Sequence, residues 1–160
     1  MKFIFKQGIG LVEMIVGLSV FVFIVLSFII SFNYFIKNSI LGIKTTQAHF
    51  LAREGLEAIK SMRNNSWATN INQFISSQEY YLYFNGNRWE STTTPVMIDN
   101  FFKRKFITEN VYRDTNGDIS TSGTLDSGSK KITVFISYTT NNNVVETESM
   151  STIITDIFGN

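Results

Sequence analysis

Residues 14–36 read MIVGLSVFVFIVLSFIISFNYFI, 23 consecutive positions without a charge and dominated by Leu, Phe and β-branched side chains. A helix of roughly 20 apolar residues crosses a bilayer, so this run is long enough to span one. A core helix of a water-soluble domain is shorter and keeps a polar face; this run keeps none. The reading is a membrane-inserted segment. Lys2 and Lys6 precede it and Lys37 and Lys44 follow it, so the flanking charges alone do not orient it. More than a hundred polar, strand-like residues come after the span. The simplest arrangement keeps the short basic N-terminus in the cytoplasm and places the rest outside, as a single-pass cytoplasmic-membrane protein.

Upstream of the run stands a polar leader, MKFIFKQG, which joins directly to Ile9-Gly-Leu-Val-Glu13. A secretory signal carries a shorter apolar core and a small-residue A-x-A site after it, and SFNYFIKNSILGIK offers no such site. Glu13 is the anomaly. An ionised carboxylate in hydrocarbon costs about 2.5–3.5 kcal/mol on insertion scales, so a lone one needs a partner. A chain beginning at Ile9 supplies one, because its new α-amino group has a reference pKa of about 8 and lies one helical turn before Glu13.

Gly8, Ile9, the charge-free run and Glu13, in that order, make the chain similar to the type IV pilin superfamily, which includes the pseudopilins of type II secretion and the competence pilins. In that family a class III leader ends in Gly, and a glutamate lies inside the hydrophobic stretch just past the cut. The resemblance implies cleavage between Gly8 and Ile9 by prepilin peptidase, methylation of the Ile9 amine and an assembly salt bridge from Glu13 to a neighbour's amine. It also implies extraction from lipid by an inner-membrane platform protein into a homo- or hetero-oligomeric fibre, periplasmic or on the cell surface. Two positions depart from the pattern: Ile9-Gly10 stands where Phe-Thr is common, and Ile30 stands where many major pilins have a helix-kinking proline. Major and minor subunit therefore both remain open. The competing reading is a signal-anchored binding module or adhesin that does not polymerise.

Gly10 and Gly17, seven apart, lie on nearly one face, and small residues at such spacing let helices approach closely. Beyond the span, Leu41, Ala48, Leu51, Ala52, Gly55, Ile59 and Met62 recur at three- and four-residue steps as an apolar stripe, with Arg53, Glu57, Lys60 and Ser61 opposite. A second stripe, Ile36, Ile43 and Phe50, points away from the first. Two stripes suit burial on two sides, by the chain's own sheet and by neighbouring helices. His49 borders the first stripe and reads as a polar boundary residue. Termination is expected near Asn64-Asn65-Ser66, giving a helix over 9–63, about 80 Å at 1.5 Å per residue.

From residue 64 the chain turns rich in Asn, Ser and Thr, with period-two runs that predict an antiparallel sheet. Tyr80–Phe84 and Arg88–Glu90 flank Asn85-Gly86-Asn87 as a hairpin. Phe101–Arg113 reads as the next strand, and Lys131–Thr140 and Val144–Thr155 as a last pair turning at Asn141–Asn143. The expectation is α+β: a leader over 1–8, a long helix over 9–63, and a β-rich head over 64–160. The whole is a lollipop whose sheet has about four strands packed on the outer half of the helix, with an outward loop over 114–130.

Composition narrows the chemistry. There is no Cys and a single His, which removes disulfides, thiolate metal sites and multi-histidine sites. Fourteen basic against 13 acidic residues leave a net charge of +1, too little for sequence-independent recruitment of nucleic acid. Asp114-Thr-Asn116-Gly-Asp118, with Glu109 and Asp126 nearby, offers oxygen ligands for a hard cation such as calcium. The spacing fits an EF-hand loop poorly, and Asn116-Gly117 as a tight turn is the preferred reading. Tyr80, Tyr81, Tyr83, Phe84 and Trp89 form an aromatic cluster that alternation splits between core packing and contact with a partner, with stacking on sugars or bases the alternative. Glu146 and Glu148 share a strand face as a solvated edge. No Ser-His-acid set or phosphate loop can be nominated, so neither an enzyme nor a cofactor is expected.

Overall fold

The computed structural model describes residues 10–140 and 143–159. The element order is α1 (Leu11–Asn65), α2 (Trp67–Asn70), β1 (Tyr80–Phe84), β2 (Trp89–Thr92), β3 (Met97–Ile98), β4 (Phe102–Arg113), β5 (Ile119–Ser120), β6 (Thr124–Thr139) and β7 (Val145–Thr155). The contacts divide the chain into two compact units, one ending at Ile43 and the other beginning at Lys44. The first holds the apolar part of α1. Among the described residues, α1 is the one helix long and apolar enough to cross a membrane, which is compatible with a single-pass anchor.

The second unit has an α+β layout, with residues 44–65 of α1 packed on an antiparallel sheet. The sheet has seven strands among the described residues rather than about four, in the order β2-β1-β4-β6-β7, and β3 and β5 each pair with β4. The surplus comes from short, polar pieces. Met97 and Ile98 add to one end of β4 through Lys103 and Phe102, and Ile119 and Ser120 add to the other through Arg113 and Tyr112. The expected loop over 114–130 is largely paired: β6 starts at Thr124, and Leu125 and Asp126 lie opposite Tyr112 and Val111 before a register shift between Asn110 and Val111. Its residues up to Leu125 carry no period-two signal because nearly all of them are exposed. β2 likewise runs Trp89–Thr92 rather than Arg88–Glu90.

The helix–sheet boundary follows the first stripe. Ala48, Ala52, Gly55, Ile59 and Met62 are buried, with Leu56 and Ala58 beside them. They face Phe102, Phe106, Ile132, Val134, Ile136, Tyr138 and Ile154, the inward positions of β4, β6 and β7. Small residues on the helix let its backbone approach the sheet. A β-carbon built on Gly55 would stand 3.0 Å from Val134 Cγ1 and 3.1 Å from Arg104 Cδ. Phe74, Tyr80 and Phe106 close one end of the core, with ring centroids 4.7–5.5 Å apart. Helix α1 runs two residues past the expected stop, to Asn65. There the chain restarts as α2, whose N-cap Ser66 accepts a hydrogen bond from the Thr69 N–H at 3.3 Å.

One charge is buried in this layer. Arg104 sits on the inward face of β4, its side chain 4% exposed, and its Nη1 reaches Glu54 Oε2 at 3.3 Å and the Leu51 carbonyl at 3.3 Å. Its Cζ lies 4.9 Å from the centre of the Trp89 ring, and its Nε is buried without a partner. Burial pushes the guanidinium pKa down, and the Glu54 carboxylate opposes that shift.

Candidate functional site

Gly8 and Ile9, the expected cleavage and methylation positions, lie outside the described residues. Glu13 lies in the first turn of α1, and its Oε2 accepts the Gly10 N–H at 3.1 Å. A helix start leaves N–H groups without intrahelical partners and favours a negative side chain, so the carboxylate has a local donor. That hydrogen bond is to a neutral amide, and among the described residues no cation pairs with the carboxylate.

In the first unit, every described residue is exposed, including Leu11, Phe21, Phe23, Phe28 and Ile36. Nothing lies within 4 Å of a β-carbon built on Gly17, and the one atom near Gly10 is Glu13 Oε2 at 4.0 Å. Among the described residues these two glycines therefore serve no close approach within the chain. Ile36 and Ile43 are 39% and 56% exposed. In the second unit, Phe50 is 66% exposed although Ala48 and Ala52 beside it are fully buried. The second stripe is thus open, while the first is buried from Ala48 to Met62, apart from the half-buried Leu51, and its member Leu41 in the first unit is 40% exposed. A membrane span over 14–36 accounts for the apolar residues up to Ile36. It leaves Ile40, Ile43 and Phe50 without a reason to be apolar.

The other candidates fall in the second unit. His49 is exposed, with Nε2 3.5 Å from Glu148 Oε2, so one of the two acidic residues expected on a solvated strand edge faces the helix instead. Asp114 is engaged in a turn: its Oδ1 accepts the N–H groups of Asn116 at 2.8 Å and Asp118 at 3.0 Å, and its carbonyl accepts that of Gly117 at 3.1 Å. Gly117 takes φ +84°, where a side chain is disfavoured. The Asp126 carboxylate turns to Arg113, 2.7 Å from its Nε, and no group of three metal-ligating side chains occurs among the described residues. At the Asn141–Asn143 turn, residues 141 and 142 lie outside the described set. Asn143 takes φ +58° and donates to Thr140, while Thr140 N donates to the Val144 carbonyl, the same bonding as in the Asp114 turn.

The aromatic cluster divides. Tyr80 and Leu82 enter the core, Tyr81 is buried on the outer face below Lys103 Nζ at 5.4 Å, and Tyr83 donates to Glu90. Phe84 and Trp89 pair across the hairpin with ring centroids 5.5 Å apart. The hairpin turns as expected, with Asn85 Oδ1 accepting from the N–H groups of Asn87 and Arg88 at 2.9 Å each. Sequence reasoning missed Arg104, because a basic residue in Phe-Lys-Arg-Lys-Phe reads as solvated. It also missed a cavity beside Trp89, which four separate segments line. Comparisons of the chain with models of protein families, with curated proteins and with solved structures each find no match.

Proposed function

We propose that the chain is a structural subunit of a type IV pilus or pilus-like fibre of the type II secretion or competence kind. On this reading prepilin peptidase cuts between Gly8 and Ile9, the Ile9 amine is methylated, and a platform protein lifts the subunit out of the lipid. The subunit first sits as a single-pass protein with its N-terminus inside and its β-rich unit outside. It then packs against other subunits through α1. Glu13 pairs with the Ile9 amine of a neighbour, so a buried carboxylate is compensated only when the stagger between subunits is correct.

The observation that carries the reading is the open second stripe. Ile43 and Phe50 lie beyond the length that lipid covers and away from the stripe that the sheet covers. Apolar side chains that neither cover reaches call for a third one, and a neighbouring helix with the same pattern supplies it. A signal-anchored module that stays single has no need of them.

The test is mass spectrometry of the membrane fraction and of fibres sheared from cells of the source organism. A mature chain starting at Ile9 with one added methyl group, present in both fractions, supports the subunit. An intact Met1 and absence from sheared material supports the unpolymerised anchor.

A further inference from the structure

A cavity of about 580 Å³ opens in the second unit between the end of α1, α2, the loop after it and the β1–β2 hairpin. That volume falls in the range of small-molecule sites, roughly 300–1,000 Å³. We propose that it binds a neutral saccharide, with a sugar ring against Trp89 and hydroxyl groups bonded to Asn65, Asn70, Gln73, Asn87 and Ser91.

The lining selects this class. Four of its side chains are carboxamides and one is a hydroxyl, and each donates and accepts at once. Sugar hydroxyls have the same double capacity, so they match such a wall without a charge on either side. The charged members of the lining cancel. Arg88 Nε lies 2.8 Å from Glu90 Oε1, which also accepts from Asn85 Nδ2 at 2.8 Å, and Glu90 Oε2 is taken by Tyr83. No uncompensated cation is left for a phosphate, and no free carboxylate for an amine.

Trp89 adds the apolar element. The C–H groups on one face of a pyranose suit an electron-rich ring, and Trp89 is only half-buried. Its ring is held by the buried Arg104, with Cζ 4.9 Å from the ring centre, and by Phe84. Two points of the polar wall are also held in place. Asn70 Nδ2 donates to the Met62 carbonyl at 3.0 Å, and Asn85 Oδ1 fixes the backbone that carries Asn87. The part of the wall fixed beforehand, Asn70 and the backbone at Asn87, loses less freedom when a ligand arrives. This site is independent of whether the chain enters a fibre.

The experiment uses the full chain in lipid nanodiscs, free of glycoside detergents, titrated with glucose, galactose, mannose, N-acetylglucosamine and their disaccharides. The chain has two tryptophans, Trp67 and Trp89, so emission is compared with that of a Trp67→Phe variant, in which the change reports on Trp89 alone. At least one sugar should give a saturable change at about millimolar concentration, insensitive to added salt. The double variant Gln73→Ala/Asn87→Ala removes two exposed side chains and should weaken binding by about tenfold without altering the melting temperature. No saturable response to any of these sugars overturns the proposal, as does equal binding by the double variant. A response confined to a single-stranded oligothymidylate and lost at high salt also overturns it and marks a nucleic-acid site.

Discussion

Gly55 and Val134 meet so closely across the helix–sheet boundary that an added methyl group would lie 3.0 Å from Val134 Cγ1 and would have to displace it. Val134 and Arg104, the two neighbours of that space, are both buried and cannot swing into solvent. Alanine favours a helix over glycine by about 1 kcal/mol, yet overpacking a filled core costs about 1–3 kcal/mol. Gly55→Ala is therefore expected to lower the melting temperature. Gly42→Ala, where a β-carbon meets nothing within 4 Å, is expected to raise helix stability instead. Thermal unfolding of the two variants in detergent micelles checks the opposite signs.

Gly123 makes a sharper case. It adopts φ +141°, and a β-carbon on it would stand 2.1 Å from the Arg113 carbonyl oxygen, which is backbone and cannot rotate away. The conformation alone costs a residue with a side chain about 1–3 kcal/mol, and the overlap adds to that. Gly123→Ala should lower the urea midpoint strongly. Gly128→Ala, with an ordinary 3.5 Å contact to Asp126, should stay within about 0.5 kcal/mol of the parent.

Asp126 sets part of the response to acid. Its hydrogen bond from Arg113 first, then those from Ser129 and the Gly128 N–H, hold its carboxyl below the usual range. A carboxylate with a lowered folded pKa contributes stability above its unfolded pKa, about 3.9, and loses it as pH falls through the folded value. Acid should therefore unfold the chain more steeply below about pH 4 with Asp126 present. Asp126→Asn should be less stable at pH 7 and show a shallower decline between pH 5 and pH 3, read from melting temperatures across that range.

Glu13 distinguishes an assembling subunit from an anchor. Glu13→Ala removes a carboxylate from the apolar segment, so insertion should be unharmed or eased by a few kcal/mol. In a fibre the same change leaves a neighbour's amine buried and unpaired, at about 3–5 kcal/mol. Glu13→Gln keeps the size and removes the charge. Both variants should be inserted normally and depleted from sheared fibres; incorporation equal to the parent would remove the assembly role of the carboxylate.

The extent to which the chain could be read in advance follows from how local each signal is. Helix α1 was legible because 23 uncharged residues and a three–four stripe lie in one continuous stretch. Strands β1 and β4 were legible because their inward residues are dry, and β7 because its residues alternate between exposed and half-buried; the turns beside them are Asn-rich. The start of β6, Thr-Leu-Asp-Ser-Gly, was not, since its residues are solvated and only their pairing with β4 makes them strand. Arg104 shows the limit most clearly. Its burial depends on Leu51 and Glu54, some fifty residues away, and no local pattern carries that distance. The cavity beside Trp89 is hidden for the same reason, while the Asp114 turn could be read because all its bonds close within five residues.

The core of the second unit joins Ala48 and Ala52 to Ile136 and Ile154, so its two walls are about a hundred residues apart in the chain. Non-local pairing of this kind slows folding, from the microseconds of local helical contacts towards milliseconds or seconds. During synthesis the helix emerges first and its stripe has nothing to pack on until β4 and β6 follow. For that interval Ala52, Ile59 and Met62 are uncovered, and apolar surface in that state is easily lost to another nascent chain. Small residues at 48, 52, 55 and 58 keep that temporary surface modest, so the same economy of side chain that lets the sheet approach also limits the hazard of waiting for it.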